Sequence, residues 1–288
     1  MSKDDQPYWH PVNPADGYID LHLHTTHSDG QLSPKQLVEM AAQKHLRAIA
    51  VTDHDTVSGI RATKYFAHQH GIQFVEGVEI SAYTEKDGEL HILGYRIDPE
   101  SPVLLKALEY QKRVRRHRIQ QMLVRLQKSG VNIPFESVQQ SARQGVPIGR
   151  PHLARALMRY GVVASADEAF ERYLARGRSA FVPKVGLTHQ QAIMAILDSG
   201  GIPVYAHPGI EHKDDLIPKL QQLGLQGLEV FHSEHSPEDV SRYTDMVIKR
   251  SLLATGGSDC HGRGSKGDLL IGTVQIPYNL LDALRRSS

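Results

Sequence analysis

Short apolar segments of strand length alternate with amphipathic helical segments over most of the 288-residue chain. About seven segments have strand character, from Tyr18–His24 near the start to Leu270–Pro277 near the end. A helix is expected after the first strand, because Ser33 can cap it and Pro34 can occupy its first turn. Strands that alternate with helices favour a parallel sheet or barrel, so the pattern predicts an α/β fold in the form of an irregular (β/α) barrel.

Residues 100–185 break this alternation, because they carry no strand signal. Pro102–Ser129 is typical of one long helix, and shorter helical segments follow near Pro151–Tyr160 and Ala166–Arg176. The pattern of strands and helices resumes after Gly186. The sequence therefore predicts a helical domain inserted into the barrel.

Charge separates the same two regions. Residues 100–187 contain 16 Lys and Arg against 6 Asp and Glu, a net charge of +10. The remainder contains 17 against 26, a net charge of −9, although the whole chain is close to neutral at +1. We therefore predict an acidic barrel formed by residues 1–99 and 186–288, and a basic insertion at residues 100–185 that recognises the substrate.

Composition excludes several classes of protein. With 40% hydrophobic and 23% charged residues the chain is ordinary for a globular protein, and no apolar run approaches the roughly 20 residues that cross a bilayer. The first 17 residues are polar and interrupted by proline, without the apolar core of a signal peptide. We expect a cytoplasmic protein that binds no membrane and needs no obligate protein partner. The single cysteine, Cys260, excludes an internal disulfide and is expected to be a small buried side chain.

The chain contains 17 histidines, and histidine is the commonest metal ligand in proteins. His22 and His24 lie two residues apart in a predicted strand, so their side chains project from one face while Leu21 and Leu23 project from the other. Two imidazoles in this arrangement can bind one divalent ion, and Asp29 follows in the next loop. The segment is therefore a candidate metal site.

Histidines and carboxylates recur at or near the C-terminal ends of the later predicted strands. Because those ends converge on one rim of a parallel barrel, residues that are distant in sequence can surround one cleft. The nine candidate ligands are His22, His24, Asp29, His54, Glu79, His91, His207, Asp259 and His261. A divalent site takes three or four protein ligands, so nine ligands, with some carboxylates bridging, suit two or three ions. The alternative, a set of unrelated buried histidines, would require the same coincidence on six or seven segments.

Six motifs contain these candidate ligands, in the order HLHTTHSDG, VTDHD, GVEIS, HILGY, AHPG and GSDCHG. In this order they resemble the successive motifs of the PHP family, the polymerase and histidinol phosphatase hydrolases, over nearly the whole chain. The resemblance implies a distorted seven-stranded (β/α) barrel with two or three divalent ions, commonly Mn²⁺, with Zn²⁺, Fe²⁺ or Mg²⁺ as alternatives. The insertion between HILGY and AHPG is similar to that of the branch that hydrolyses nucleoside 3′,5′-bisphosphates and includes the 5′→3′ exoribonuclease ribonuclease AM.

The resemblance also implies how the ligands are shared among three ions. The first ion would be held by His22, His24, Glu79 and Asp259. Glu79 would bridge to a second ion held also by His91 and His207, and the third ion would be held by Asp29, His54 and His261. From the residues alone Glu76 could replace Glu79 as the bridge, although the Gly77-Val78-Glu79 spacing favours Glu79. His27, in the first loop, is a weaker candidate than Asp29.

The expected nucleophile is water, because clustered divalent ions lower the pKa of a bound water and neutralise the charge of a phosphate. His235, in the segment VFHSEHS, is a candidate acid for the leaving ribose oxygen, with Asp259 as a candidate relay. His235 could equally donate a hydrogen bond to the substrate or to a metal ligand. Asp53 and Asp55 flank His54 and are expected to orient metal ligands.

A second anion site is expected in the insertion. Pro151 can begin a helix just after Arg150, and the helix N-terminus, Arg150 and His152 form a candidate pocket for a terminal phosphate. Lys184, where the insertion rejoins the barrel, is expected to reach the same phosphate. The basic run KRVRRHR at residues 112–118 is expected to be solvated, although it could attract an RNA backbone.

These features predict a metal-dependent phosphohydrolase. The expected reaction removes the 3′-phosphate from nucleoside 3′,5′-bisphosphates to give 5′-mononucleotides, and the same cleft could trim short 5′-phosphorylated RNA in the 5′→3′ direction. One alternative is a histidinol-phosphate phosphatase or another phosphomonoesterase, for which a second phosphate site would have no use. The other is a metal-bound accessory module without catalysis, which the complete set of nine candidate ligands disfavours.

Overall fold

The computed structural model describes residues 17–141, 146–263 and 268–286. Residues 1–16, which contain most of the polar N-terminal stretch predicted to lack a signal peptide, lie outside this part of the chain. Among the residues that the structure describes, no helix is both long enough and apolar enough to cross a bilayer.

Within the described residues, eight strands form a single sheet that curves into a barrel. The strands are β1 (Tyr18–Asp20), β2 (Leu46–Val51), β3 (Gln73–Thr84), β4 (Gly88–Tyr95), β5 (Ile202–Tyr205), β6 (Gly227–His232), β7 (Leu253–Gly257) and β8 (Ile276–Pro277). Their order is β7-β6-β5-β4-β3-β2-β1-β8. The barrel closes just after β1, where the amide of Leu21 donates to the carbonyl of Gly256 (3.1 Å) and Leu23 forms a parallel bridge with Cys260. The predicted fold class, a distorted (β/α) barrel, is confirmed.

The strand directions differ from a fully parallel barrel in one sector. β1, β2 and β3 run parallel to one another, as do β5, β6 and β7. β4 is antiparallel to both of its neighbours, because it follows β3 through a tight turn at residues 85–87 rather than through a helix. The two-residue β8 is also antiparallel to its neighbour β1. The structure describes eight strands, one more than the number of about seven predicted from the sequence.

Helices cover the sheet and build the insertion. Those described are α1 (Pro34–Gln43), α2 (Ile60–Gln69), α3 (Pro102–Lys128), α4 (Phe135–Gln139), α5 (Arg150–Arg159), α6 (Ala166–Ala169), α7 (His189–Leu197), α8 (Pro208–Glu211), α9 (Ile217–Gln222), α10 (Pro237–Arg250) and α11 (Leu280–Arg286). The predicted start of α1 is confirmed, because Ser33 and Gln36 exchange hydrogen bonds in a capping box. The single long helix predicted from Pro102 is observed as α3.

Helix α3 contributes to two apolar cores. Its first turns pack against the barrel through Leu104 and Leu108. Its later turns, at Met122 and Leu126, pack in a separate cluster with Leu157 of α5. Because α3 belongs to both cores, it fixes the insertion against the barrel. The exact domain boundaries given above stay a prediction.

Replacement of Gly257 by Ala should destabilise the barrel where β7 meets the chain after β1. A Cβ on Gly257 would lie 2.1 Å from His22 Cβ and 2.3 Å from His22 N. A paired backbone cannot move aside as a flexible side chain can, so we expect the free energy of unfolding in urea to fall by on the order of 3 kcal/mol.

Gly130→Ala is the control for this substitution, because the φ of +82° at Gly130 imposes only conformational strain and no atom lies within 4 Å of its Cβ. That strain costs about 1 kcal/mol. Equal losses of stability in the two variants would contradict the close approach of Gly257 to His22.

Candidate metal centre

The first group of candidate ligands lies where β1 and β7 approach each other. His22 and His24 follow β1, whose regular pairing ends at Asp20 rather than at His24 as predicted. Both imidazoles are fully buried, with ring centroids 5.2 Å apart. Their Nε2 atoms lie 3.3 and 3.0 Å from Asp259 Oδ1, and 3.5 and 3.3 Å from Glu79 Oε2. The four side chains that the family resemblance assigns to a first ion thus offer ligand atoms within 4.8 Å of one another.

Glu79 lies at the centre of the cluster. Its Oε1 is 2.7 Å from His91 Nδ1 and 3.2 Å from His207 Nε2, and its Oε2 is 2.9 Å from His54 Nδ1. Burial raises the pKa of this carboxyl, but the charges of His54 and His91 outweigh burial and hold the pKa well below its usual range. Glu76 pairs instead with a surface lysine, so Glu79 is the glutamate that faces the cluster.

A further group contains Asp29, His54 and His261, the residues assigned to the third ion, together with His24. His261 Nε2 lies 3.3 Å from Asp29 Oδ1, and the rings of His24 and His261 stack with centroids 4.0 Å apart. His54 also belongs to a group around Glu79, where the resemblance does not place it. The candidate ligands therefore lie together, while their division among ions stays a prediction.

Two ligand positions differ from the prediction that all lie at strand ends. Glu79 and His91 lie inside β3 and β4, and they meet because these strands form an antiparallel hairpin with Ser81 opposite His91. His207 and Asp259 do follow β5 and β7, in left-handed backbone conformations with φ of 31° and 53°. Such conformations are uncommon for residues other than glycine and are found in turns and functional sites.

Many buried polar atoms of the cluster have no hydrogen-bond partner among the described residues. They include His22 Nε2, His24 Nε2, Asp29 Oδ1, His54 Nδ1, Glu79 Oε2, His91 Nδ1, His207 Nδ1 and Asp259 Oδ1. An unsatisfied buried polar group costs about 1–3 kcal/mol, and folded proteins contain few of them. Imidazole nitrogens and carboxylate oxygens are ligands of divalent metal ions, so these residues fit a cluster of divalent cations.

Sequence analysis missed two carboxylates that contact candidate histidine ligands at the ring nitrogen facing away from the cluster. Glu229 Oε1 accepts a hydrogen bond from His22 Nδ1 (2.9 Å), and Glu89 Oε1 accepts one from His91 Nε2 (3.0 Å). Carboxylates in this position fix the ring orientation of a metal-ligating histidine. Glu229 had a detectable signal, because an acidic residue stands between the apolar residues Leu228 and Val230 in β6. His232, also missed, groups with His22 and Glu229.

His235 is not positioned to be the acid predicted from the sequence. Its Nδ1–H donates to the carbonyl of Val230 (2.9 Å), and its Nε2 accepts from the amide of Gly209 (3.1 Å). Backbone groups therefore occupy both ring nitrogens, and burial lowers the pKa of the imidazole. Asp259, the candidate relay, does face the cluster, with Oδ2 3.7 Å from His232 Nε2.

A cleft beside the cluster is shared by barrel and insertion. Its polar and charged lining includes Asp29, His54, Glu89, His91, Gln111, Arg115, Arg118, Arg150 and Lys184. Of the predicted phosphate-binding residues, Arg150 and Lys184 line this cleft, and Lys184 also donates to Glu89. His152 is instead buried, and its Nδ1 accepts from the amide of Gly149 (3.2 Å). Burial lowers the pKa of His152 to about 4, so its ring is neutral at pH 7 and offers an anion an N–H donor at Nε2 but no positive charge.

The basic run at residues 112–118 is only partly solvated, contrary to the prediction. Arg115 pairs with the buried Asp55, and its Nη2 donates to Ser81 Oγ (2.8 Å). Asp55 also accepts from the amide of Ser81 (2.9 Å). This network connects α3 of the insertion to the residue that follows His54.

Asp53 holds the loop that carries a candidate ligand. It accepts from the amide of Thr25 (2.7 Å) and from the hydroxyl of Ser28 (2.6 Å). Both donors lie in the loop between His24 and Asp29, so Asp53 restrains the path of the chain from one ligand to the next.

The chain is similar to several proteins of known name. Residues 20–176 match the model of the PHP domain. The chain is 32% identical over 264 residues to the 3′,5′-nucleoside bisphosphate phosphatase of Chromobacterium violaceum, covering 90% of this chain and 92% of the relative. It is 35% identical over 249 residues to the 5′-3′ exoribonuclease Rnm of Escherichia coli K12, covering 84% of each. It is 33% identical over 247 residues to the phosphoribosyl 1,2-cyclic phosphate 1,2-diphosphodiesterase of Eggerthella lenta, covering 85% of this chain and 94% of the relative.

Two solved structures resemble the whole molecule. A Bifidobacterium adolescentis protein, described as a candidate metal-dependent phosphoesterase, has a TM-score of 0.84 at 29% identity and covers 92% of this chain and 94% of its own. A Chromobacterium violaceum protein, described as an amidohydrolase with bound sulfate and no metal, has a TM-score of 0.83 at 30% identity and covers 93% and 96%.

Replacement of Glu79 by Gln should reduce metal binding far more than replacement of His27 by Ala. Glu79 contacts imidazoles at the centre of the cluster, whereas His27 Nδ1 lies 2.9 Å from Ser58 Oγ in a partly exposed loop. We expect two or three divalent ions per parent chain by elemental analysis after growth with Mn²⁺, and at least about 10-fold weaker Mn²⁺ binding in the Glu79 variant. A metal-free His27 variant beside a fully loaded Glu79 variant would show that the cluster is assigned wrongly.

Replacement of Arg115 by Met should destabilise the fold, because it leaves Asp55 buried without its counter-charge. Burial raises the pKa of Asp55, but Arg115 and Lys184 hold it below its usual value, so the group is charged at neutral pH. We expect a loss of about 3–5 kcal/mol in the free energy of unfolding in urea.

Lys112→Met is the matched control, because Lys112 belongs to the same run and pairs only at the surface with Glu109 (3.8 Å). It should change stability by less than about 0.5 kcal/mol. If the Arg115 variant is as stable as this control, the buried pair does not secure α3.

Proposed function

The chain belongs to the PHP family of phosphoesterases, and on this basis we propose that it removes the 3′-phosphate from nucleoside 3′,5′-bisphosphates in a metal-dependent hydrolysis. The products are a 5′-mononucleotide and inorganic phosphate. We propose that the same cleft also trims short 5′-phosphorylated RNA stepwise from its 5′ end. The names of the Chromobacterium violaceum and Escherichia coli relatives support these two activities.

One observation carries the proposal: the candidate metal cluster and cations of the insertion open into a single cleft. His54 and His91 share this cleft with Arg118, Arg150 and Lys184. A nucleoside 3′,5′-bisphosphate has two anionic groups, so one can lie at the cluster while the other reaches the cations. A substrate with one phosphate would leave the guanidinium groups of Arg118 and Arg150 without an anion, whereas that of Arg115 is already paired with Asp55.

The chain's own residues bind and orient the substrate in this proposal. The candidate ligands would hold divalent ions, which when bound polarise the phosphoryl group and acidify a water molecule. Arg118 and Arg150 bind the 5′-phosphate by charge-assisted hydrogen bonds, which directs the 3′-phosphate towards the candidate ligands. Because backbone groups occupy both nitrogens of His235, Asp259 is the remaining candidate from the sequence for accepting a proton from the attacking water and passing it to the leaving O3′.

A second candidate activity is cleavage of a cyclic phosphodiester. The Eggerthella lenta relative is named for phosphoribosyl 1,2-cyclic phosphate, and such a compound also combines a reacting phosphoester with a second phosphate. The shared cleft supports this activity by the same argument. Histidinol phosphate carries one phosphate, so the cations of the cleft do not favour it. A purely non-catalytic role is disfavoured because the cluster is open to this cleft.

The proposal is tested in buffer supplemented with Mn²⁺ by measuring release of inorganic phosphate from the two phosphomonoester substrates, and by chromatography of the 5′-mononucleotides released from RNA and of the ring-opened product of the cyclic ester. The substrates are adenosine 3′,5′-bisphosphate, a short 5′-phosphorylated RNA, a phosphoribosyl 1,2-cyclic phosphate and histidinol phosphate. We expect the highest kcat/KM on the bisphosphate and loss of activity after chelation. A higher kcat/KM on the cyclic ester would favour the second candidate, and activity unaffected by chelation would overturn the metal dependence.

Replacement of Arg150 by Ala should weaken catalysis on a 3′,5′-bisphosphate but not on a 3′-monophosphate. Arg150 lines the cleft with its guanidinium Cζ 5.5 Å from the centroid of the Phe170 ring. A charge-assisted contact contributes about 1.5–3 kcal/mol, so kcat/KM for adenosine 3′,5′-bisphosphate should fall roughly 10- to 150-fold. The value for 3′-AMP, which lacks the second phosphate, should change much less.

Arg159→Ala is the matched control, because Arg159 ends the same helix on its exposed face and donates to Ser141 Oγ (2.6 Å). This substitution should leave kcat/KM unchanged for both substrates, provided that the metal content of the variants is equal. If kcat/KM falls equally on the two substrates in the Arg150 variant, the 5′-phosphate binds elsewhere. Lys184 would then be the next residue to replace.

A further inference from the structure

Glu229 is a buried acid inside the barrel. It lies in the middle of β6 between the core residues Leu228 and Val230, and its side chain is 0% exposed. Removing a carboxylate from water costs several kcal/mol unless hydrogen bonds or opposite charges compensate it. The partners of Glu229 therefore indicate what it does.

One oxygen of Glu229 orients His22. His22 Nδ1–H donates to Glu229 Oε1 at 2.9 Å. With the proton on Nδ1, the lone pair of Nε2 points to the opposite side of the ring. Nε2 there lies 3.3 Å from Asp259 Oδ1 and 3.5 Å from Glu79 Oε2. His22 thus presents Nδ1 to Glu229 and Nε2 to the cluster.

The other oxygen of Glu229 holds the backbone of His207. The amide of His207 donates to Glu229 Oε2 at 2.8 Å. His207 has φ 31° and ψ 53°, a left-handed conformation that costs a residue other than glycine about 1–2 kcal/mol. From this position its Nε2 lies 3.2 Å from Glu79 Oε1. One carboxylate therefore restrains two candidate ligands that follow different strands.

Glu229 is not itself arranged as a metal ligand. It lies within ligand distance of His22 and His232. However, its Oε1 accepts from Nδ1–H of His22, on the side of the ring away from Glu79 and Asp259, and its Oε2 accepts from the backbone amide of His207. The carboxylate therefore acts through His22 and His207.

We propose that Glu229 is a positioning residue that pre-orients His22 and His207 for divalent metal without contacting the metal or the substrate. The inference rests on the proposed metal centre and not on the identity of the substrate. A carboxylate behind a metal-ligating histidine fixes its ring and raises its basicity, and its loss typically weakens metal binding 10- to 100-fold.

The first test is the Mn²⁺ dissociation constant of chelator-treated Glu229→Gln protein, measured by titration calorimetry. Glutamine keeps the size of the side chain but offers one acceptor oxygen to two N–H donors. We expect the dissociation constant to rise roughly 10- to 100-fold, with an unchanged far-UV circular dichroism spectrum. Glu234→Gln, an exposed glutamate just after β6, is the matched control and should bind Mn²⁺ like the parent. Parent affinity in the Glu229 variant would overturn the proposal.

The second test does not depend on the folding of a variant. Histidine labelled with ¹⁵N in the Zn²⁺-loaded parent reports which ring nitrogen of His22 is coordinated and which carries the proton. We expect coordination through Nε2 and an Nδ1 proton shifted downfield by the carboxylate. Coordination through Nδ1, or an unshifted Nδ1 proton in the parent, would overturn the proposal. Neither test uses a substrate, so failure of the bisphosphate assay would be a separate result.

Discussion

Compensation of buried charge at the mouth of the barrel is the constraint on which the rest of the structure depends. The carboxylate of Glu79 lies within 3.5 Å of imidazole nitrogens from several strands, and many of the atoms around it have no hydrogen-bond partner among the described residues. Imidazoles and carboxylates partly neutralise one another, but many of the polar atoms that they direct into the cluster have no hydrogen-bond partner among the described residues. Divalent cations would satisfy both requirements at once, which explains why so many titratable groups can be gathered in a buried site.

The same compensation extends outward from the cluster. Glu229 and Glu89 each accept a hydrogen bond from the far side of a candidate ligand, and Lys184 in turn donates to Glu89. Asp55, which follows His54, pairs with an arginine of the insertion. The acidic barrel and the basic insertion are therefore connected by specific buried pairs as well as by their opposite net charges. The cleft between them therefore has candidate metal ligands on one side and cationic side chains on the other.

Much of the fold followed from local patterns in the sequence. The helix cap at Ser33, the long helix beginning at Pro102 and the buried Cys260 are properties of short segments, and each is observed as predicted. The direction of β4 was not predicted, because the residues of a strand do not specify whether its neighbour runs parallel or antiparallel. That direction depends on the connection, and here a tight turn joins β3 to β4.

The sequence by itself determined which chemistry the chain can perform, since imidazole and carboxylate groups at strand positions and an excess of cations in the insertion are local facts of residue type and spacing. Only the tertiary structure decided which of these groups are free to act. His235 has the right side chain, but backbone groups occupy both of its ring nitrogens, and burial keeps the ring of His152 neutral at pH 7. Arg115 belongs to a basic run that was predicted from the sequence to be solvated, yet its guanidinium pairs with the buried carboxylate of Asp55. Hydrogen-bond partners come from segments distant along the chain, and which segments become neighbours is fixed only when the barrel closes and the insertion packs against it.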